Sequence, residues 1–238
     1  MLILACDTSN STCCAGVYDD GKELAYEMSF EKKTHSETFM PLVHRVMEKS
    51  GIKHSELDAY AICVGPGSFT GIRIGLSAVK GMSAASGVPC IAVSSTEALA
   101  RSVTNVVHPE ERTLLLPAFD ARNKRVFAAV YDNSGYAVRI KEGAYAASDL
   151  ADELTDLPDI MKTKIIVLGS GSDAVREALA NKLGINADYA PGAMITPSGI
   201  DAAARAAVDA TDGKAIVSAA EIKAAYCAVS SAERYRKA

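Results

Sequence analysis

Two stretches of this chain run through the same succession of local signals, and that repetition constrains the fold more than any single motif. Residues 2–6, 12–18 and 22–30 are apolar or alternating runs separated by Asn10-Ser11 and Asp19-Asp20-Gly21, which predicts an antiparallel meander. A helix over 36–50 follows. Thr34 or Ser36 is placed to cap it, Phe39, Leu42, Val43, Val46 and Met47 recur at helical spacing, and Gly51 stops it. Next come a strand at 59–64, a helix at 71–86 with Thr70 as its expected cap, a strand at 90–93, and a helix to about residue 103 opened by the Ser94/Glu97 capping box. After a linker at 105–112 the pattern starts again. Strands at 113–119, 126–131 and 136–140 form a second meander, and helices at 148–154 and 173–183 alternate with a strand at 164–168.

A meander passing into helix–strand alternation, twice over, is the organisation of an α/β protein of the actin-like (ASKHA, ribonuclease-H-like) double-domain class, with mixed sheets flanked by helices. Thr196-Pro197 opens an Ala-rich helix to about residue 210, and 218–236 reads as helical with a break. The expected division is an N-terminal lobe over 1–104, joined by a C-terminal helix within 212–238, and a smaller second lobe over 105–211.

Composition narrows the function. With 238 residues, 49% of them hydrophobic and 23% charged, the chain can bury a substantial core. A net charge of −4 with interspersed signs makes no broad positive field, which argues against RNA binding by this chain alone; the one basic cluster is Arg234-Tyr235-Arg236-Lys237. The opening apolar run ends at Asp7 with no basic residue before it, and no apolar stretch approaches the roughly 20 residues a membrane helix needs. A cytoplasmic location without membrane contact is the expectation. The six cysteines form no C-x-x-C pair and read as small buried hydrophobes.

The sharpest motif is Gly65-Pro66-Gly67-Ser68-Phe69-Thr70-Gly71, between a buried strand and a helix. Gly67 and Ser68 can offer backbone N–H groups to an anion, or the loop can be a rigid turn that aims the helix. It is neither a P-loop nor a dinucleotide G-x-G-x-x-G. Asp7 and Ser9, at the end of the first strand, admit two readings: a magnesium-bound water on Asp7 beside a nucleotide, or a side-chain cap of the turn. Gly169 and Gly171 make a second strand-to-helix loop suited to a nucleotide. His35 and His44 are nine residues apart, hence on opposite helix faces, and cannot share an ion; no catalytic constellation and no metal site is expected. Along the helix at 71–86, Gly71/Gly75 and Ser77/Gly81/Ala85 form two stripes of small residues that let a second helix approach closely.

Asp7-Thr8-Ser9, Thr34-His35-Ser36-Glu37, the run Gly65 to Gly75 (GPGSFTGIRIG) and Asp120-Ala121-Arg122 resemble, in order and spacing, the TsaB (YeaZ) family, accessory proteins of bacterial tRNA threonylcarbamoyladenosine synthesis. The resemblance covers residues 1 to about 131. It implies an actin-like subunit without catalysis of its own, which forms a heterodimer with the metal-binding catalytic paralogue TsaD, recruits the ATPase TsaE, and meets tRNA only through the complex. A homodimer in the absence of the partner, and ATP or ADP with magnesium at the complex interface, are further implications. The first two helices of the N-terminal lobe are the implied interface, with His35, Phe39, Val43, Val46, Gly71, Arg73, Gly75, Ser77, Ala78, Gly81 and Ala85 as its residues. The chain departs from the family near its end, where Tyr226-Cys227-Ala228 replaces the family's Tyr-Leu-Arg. The competing reading is a self-sufficient actin-like ATPase or phosphotransferase; a metallopeptidase is disfavoured by the histidine spacing.

Overall fold

A computed structural model describes residues 1–30, 34–103, 112–185 and 187–227. These fall into two compact units. The first holds Met1–Ser102 and Ile195–Tyr226. Its meander is β1 (Leu2–Asp7), β2 (Cys13–Asp19) and β3 (Lys22–Ser29), all antiparallel; β4 (Ala59–Gly65) and β5 (Cys90–Ser94) continue the sheet parallel to β1. Helices α1 (His35–Ser50) and α2 (Phe69–Ser86) pack on this sheet, and their apolar side joins Leu4, Cys6, Ala15, Val17 and Ile62 in one core. The central strands β1 and β4 are buried on both faces, so they read as continuous apolar runs rather than alternating ones.

Thr34 caps α1 in a capping box with Glu37, as the spacing predicts. The cap of α2 differs from expectation. Ser68, not Thr70, accepts the hydrogen bond from Gly71 N at 3.2 Å, so the helix begins two residues earlier than the glycine spacing suggests. α3 (Ser95–Arg101) is capped by Ser94, which accepts from Glu97 N.

The second unit, Val103–Met194 with Cys227 in the described part, repeats the arrangement. β6 (Thr113–Asp120), β7 (Arg125–Asp132) and β8 (Val138–Ala146) form an antiparallel meander, and β9 (Lys164–Leu168) and β10 (Asp188–Ala190) extend it parallel to β6. Strand order is β10-β9-β6-β7-β8 here and β5-β4-β1-β2-β3 in the first unit, the same sequence of positions. α4 (Ala147–Thr155) and α5 (Ser172–Leu183) cover the sheet with Leu150, Leu154, Val175 and Leu179 inward. This duplicated sheet with helices on it is the actin-like architecture.

The expected boundaries need correction. α6 (Pro197–Ala210) belongs to the first unit, not the second: Ile200, Ala203 and Ala204 are buried where it packs on β1, β2, β5 and α3. Two glycines make room for it, since a Cβ on Gly16 would lie 2.8 Å from Pro197 Cβ, and one on Gly199 only 2.5 Å from Ala98 O. Nor do the described residues from 212 onward form the expected C-terminal helix. β11 (Ile216–Val217) pairs antiparallel with β5, Ile222 is buried in the first unit's core, and Ala225 N donates to Val64 O at 2.8 Å. Residues 228–238, with the basic cluster at 234–237, and most of the linker at 105–112 lie outside the described residues. Among the described residues no helix is long and apolar enough to cross a membrane.

Candidate partner-binding surface

The glycine-rich loop is explained from the strand that faces it. Asp7, Thr8 and Ser9, the turn after β1, are fully buried. Ser9 O accepts from Ser68 N at 2.7 Å, and a Cβ on Gly67 would sit 2.2 Å from that same oxygen. Thr8 Oγ1 donates to Gly71 O at 2.8 Å, while a Cβ on Gly71 would be 2.1 Å from Thr8 O and one on Gly75 would be 2.2 Å from Thr8 Oγ1. Gly67 and Gly71 are therefore required by a close approach of backbone to backbone, and Gly75 by the Thr8 hydroxyl. The structure does bring Asp7, Ser9, Gly67 and Ser68 together, as the nucleotide reading expects. It joins them, however, as an interior packing joint in which three amides are already bonded: Ser68 N on Ser9 O, Gly71 N on Ser68 Oγ, and Ile72 N on Ser68 O.

Asp7 is likewise turned inward. One oxygen accepts from Ser9 N at 2.8 Å, Ser9 Oγ accepts from Ser95 Oγ at 3.0 Å, and Asp7 Oδ2 has no protein donor. Burial pushes the Asp7 carboxyl up from the usual range, against the hydrogen bonds from Ser9 that pull it down. As they stand, these residues do not fit a phosphate with magnesium. In the second unit Gly171 N donates to Ala118 O at 2.9 Å, and a Cβ there would lie 2.9 Å from Val126 Cγ1, so that loop's glycine too serves close packing.

The histidines are dispersed. His35 Nε2 lies 2.6 Å from Asn10 O, His54 Nδ1 lies 2.9 Å from Tyr60 Oη, and His44 is exposed near Glu48; His108 lies outside the described residues. Among the described residues no three His, Cys, Asp or Glu side chains gather as a metal site. Burial pushes the Cys6, Cys14 and Cys63 thiols well up, which makes them inert hydrophobes.

The residues expected at a partner interface divide sharply. Phe39, Val43 and Val46 are buried in the chain's own core and cannot meet a partner; their helical spacing marks the inward face of α1. Gly71 and Gly75 are buried against Thr8, His35 is half-buried, and Ala78 packs partly on the core. Arg73, Ser77, Gly81 and Ala85 are exposed, one turn apart along the outer side of α2, and no atom of the described residues lies within 4 Å of a Cβ at Gly81. On the neighbouring α1 the exposed residues include Ser36, Met40 and His44, Met40 being 45% exposed.

Sequence reasoning misses Met40, Phe69 and Tyr226, all large and partly exposed. Met40 sits outside the apolar period of α1, and that break in phase is the signal that separates it from Phe39 and Val43. Phe69 and Tyr226 are 157 residues apart and meet only in the folded chain, with ring centroids 5.0 Å apart.

A family model described as TsaD, tRNA N6-adenosine threonylcarbamoyltransferase, matches residues 29–233. The TsaB protein of Bacillus subtilis is 36% identical over 131 residues, 55% of either chain, and that of Escherichia coli 33% identical over 133 residues, again 55% of each. The chain thus spans about half the length of these curated relatives. A solved structure from Pseudomonas aeruginosa, described as similar to the peptidase YeaZ, superposes with a TM-score of 0.80 at 22% identity, covering 95% of this chain and 99% of that one, and shares the fold. Since its model covers most of the sequence, the chain belongs to the tRNA N6-adenosine threonylcarbamoyltransferase (TsaD) family, and the relatives named here are its TsaB proteins.

Proposed function

We propose that this chain is a non-catalytic subunit of tRNA threonylcarbamoyladenosine biosynthesis, and that it acts by docking on a catalytic TsaD-type relative through the outer faces of α1 and α2. The observation that carries this reading is the outward stripe of α2. Gly71 and Gly75 are small because Thr8 lies against them, but Ser77, Gly81 and Ala85 are exposed, and a Cβ at Gly81 would have no described atom of the chain within 4 Å. A glycine in mid-helix costs about 1 kcal/mol relative to alanine, so an exposed one with open space around it is poor for this chain alone. It is suited to a second helix crossing at short range. Recruitment of a TsaE-type ATPase, and contact with tRNA only within the assembly, follow from the same role.

The test is the affinity of the purified chain for a TsaD-type partner, measured by titration calorimetry. A Gly81→Glu variant loses complex formation while keeping the parent unfolding midpoint within a few degrees. Unchanged affinity would refute the interface. The isolated chain is also expected to show no carbamoyl transfer; micromolar Mg-ATP binding with turnover that disappears in Asp7→Ala would favour the rival ATPase.

A further inference from the structure

One exposed cation at the head of the outward stripe is stacked between two aromatic rings. The Arg73 guanidinium carbon lies 3.7 Å from the Phe69 ring centroid and 5.9 Å from that of Tyr226, and Arg73 Nε donates to Tyr226 Oη at 3.0 Å. Tyr226 is itself held in place. Ile222 is anchored in the core, Ala225 N bonds Val64 O, and a Cβ on Gly65 would strike Ala225 O at 2.3 Å, so only glycine at 65 lets this segment lie down beside the loop. An arginine side chain normally has wide rotamer freedom, and here it is stacked and tethered before any partner arrives. Among the described residues no carboxylate pairs with it, and its two Nη groups have no protein acceptor.

We propose that Arg73, oriented by Phe69 and Tyr226, is a preorganised receptor for a carboxylate on the docking partner. This rests on the proposed α1/α2 interface and names its polar anchor. A carboxylate fits because the free Nη edge presents two parallel N–H donors, the geometry of bidentate pairing. A phosphate is disfavoured: phosphate sites combine several donors, and the amides of Ser68 and Gly71 nearby already bond Ser9 O and Ser68 Oγ. The site also continues into Ser77 and Gly81 one and two turns on, so an acidic residue on an approaching helix would meet Arg73 as that helix settles on the small residues. The Phe69 and Tyr226 rings, 38% and 44% exposed, complete an aromatic-and-arginine cluster of the composition that dominates binding energy at interfaces.

The experiment is calorimetric titration of the TsaD-type partner with the parent chain and with R73A, R73K, Y226F and G81E, at low and high salt, with thermal unfolding of each variant as a control. R73A should weaken binding by about thirtyfold or more, the loss expected for truncating one member of an interfacial charge pair. R73K should not restore it, because an ammonium neither stacks nor pairs bidentately. Y226F keeps the ring but removes the Nε acceptor, and should weaken binding less than R73A. If R73A binds like the parent while G81E does not, the receptor is wrong and the interface stands; if both bind like the parent, the interface is wrong as well. Recovery of parent affinity by R73K would overturn the bidentate pairing. Saturable binding of inorganic phosphate to the isolated chain, lost in R73A, would overturn the carboxylate assignment.

Discussion

Two glycines on one helix, six residues apart, should respond to alanine with opposite signs. A methyl group at Gly75 would lie 2.2 Å from Thr8 Oγ1 and 3.1 Å from Ile62 Cδ1, more than 1 Å inside ordinary contact with the first. Thr8 cannot simply rotate away, because its hydroxyl holds Gly71 O at 2.8 Å in a fully buried site. Overpacking costs about 1–3 kcal/mol and the lost hydrogen bond about 1 more, offset by about 1 kcal/mol of helix propensity. The net for Gly75→Ala is about 2 kcal/mol of destabilisation, or roughly 4–8 °C in midpoint for a chain of this size. At Gly81 a methyl group meets nothing, so Gly81→Ala keeps the propensity gain and should raise the midpoint by about 2–4 °C. Thermal unfolding followed by circular dichroism reads both. A double variant with Thr8→Ala, which removes the oxygen the methyl strikes, should lose less than the two single changes added together. Equal shifts at the two glycines, or full additivity with Thr8→Ala, would refute the assignment of Gly75 to the packing joint.

Other consequences follow from the same geometry. The folded-state pKa of Asp7 is raised by burial, so its contribution is most favourable below the unfolded value of about 3.9 and is lost as pH climbs through the raised value; Asp7→Asn should flatten the pH dependence of unfolding free energy above about pH 4, measured in urea. The Asp132 carboxyl is held down at about 2, chiefly by Arg139 Nη2 at 2.7 Å, with Ser134 N and Oγ adding hydrogen bonds. It therefore stabilises above the unfolded value, and the gain disappears as pH falls toward 2. Arg139→Met should cost about 1–2 kcal/mol near neutrality, allowing for the exposure of the arginine, and parent and variant should converge in acid. Gly199→Ala forces a methyl to within 2.2 Å of Ser102 Oγ, which itself accepts from Thr196 N at 2.9 Å; a midpoint drop of several degrees is expected, and none would show that α6 is loosely seated.

Local chemistry was enough for most of the elements, though not for the cap of α2 or for the segment after residue 212. The meander strands, the α1 stop at Gly51, the Ser94 cap and Pro197 at the start of α6 depend on side chains within a few residues of the backbone they govern. The repetition of meander and alternation also pointed to two equivalent sheets, because a period of two or of 3.6 is written in adjacent positions. Three things waited for the tertiary structure. Spacing shows that α2 carries two stripes of small residues, but only the packing of the Asp7–Ser9 turn decides that Gly71 and Gly75 face in and Ser77, Gly81 and Ala85 face out. The glycines of the 65–71 loop are ambiguous between anion and backbone until Ser9 O and Ala225 O are found against them. Residues 195–226 join the first unit through partners about a hundred residues or more distant, Ile216 on Ile91 and Thr196 on Ser102 among them. Contacts over such separations depend on which apolar faces are left uncovered once each sheet has formed, and no local pattern of the chain encodes that choice.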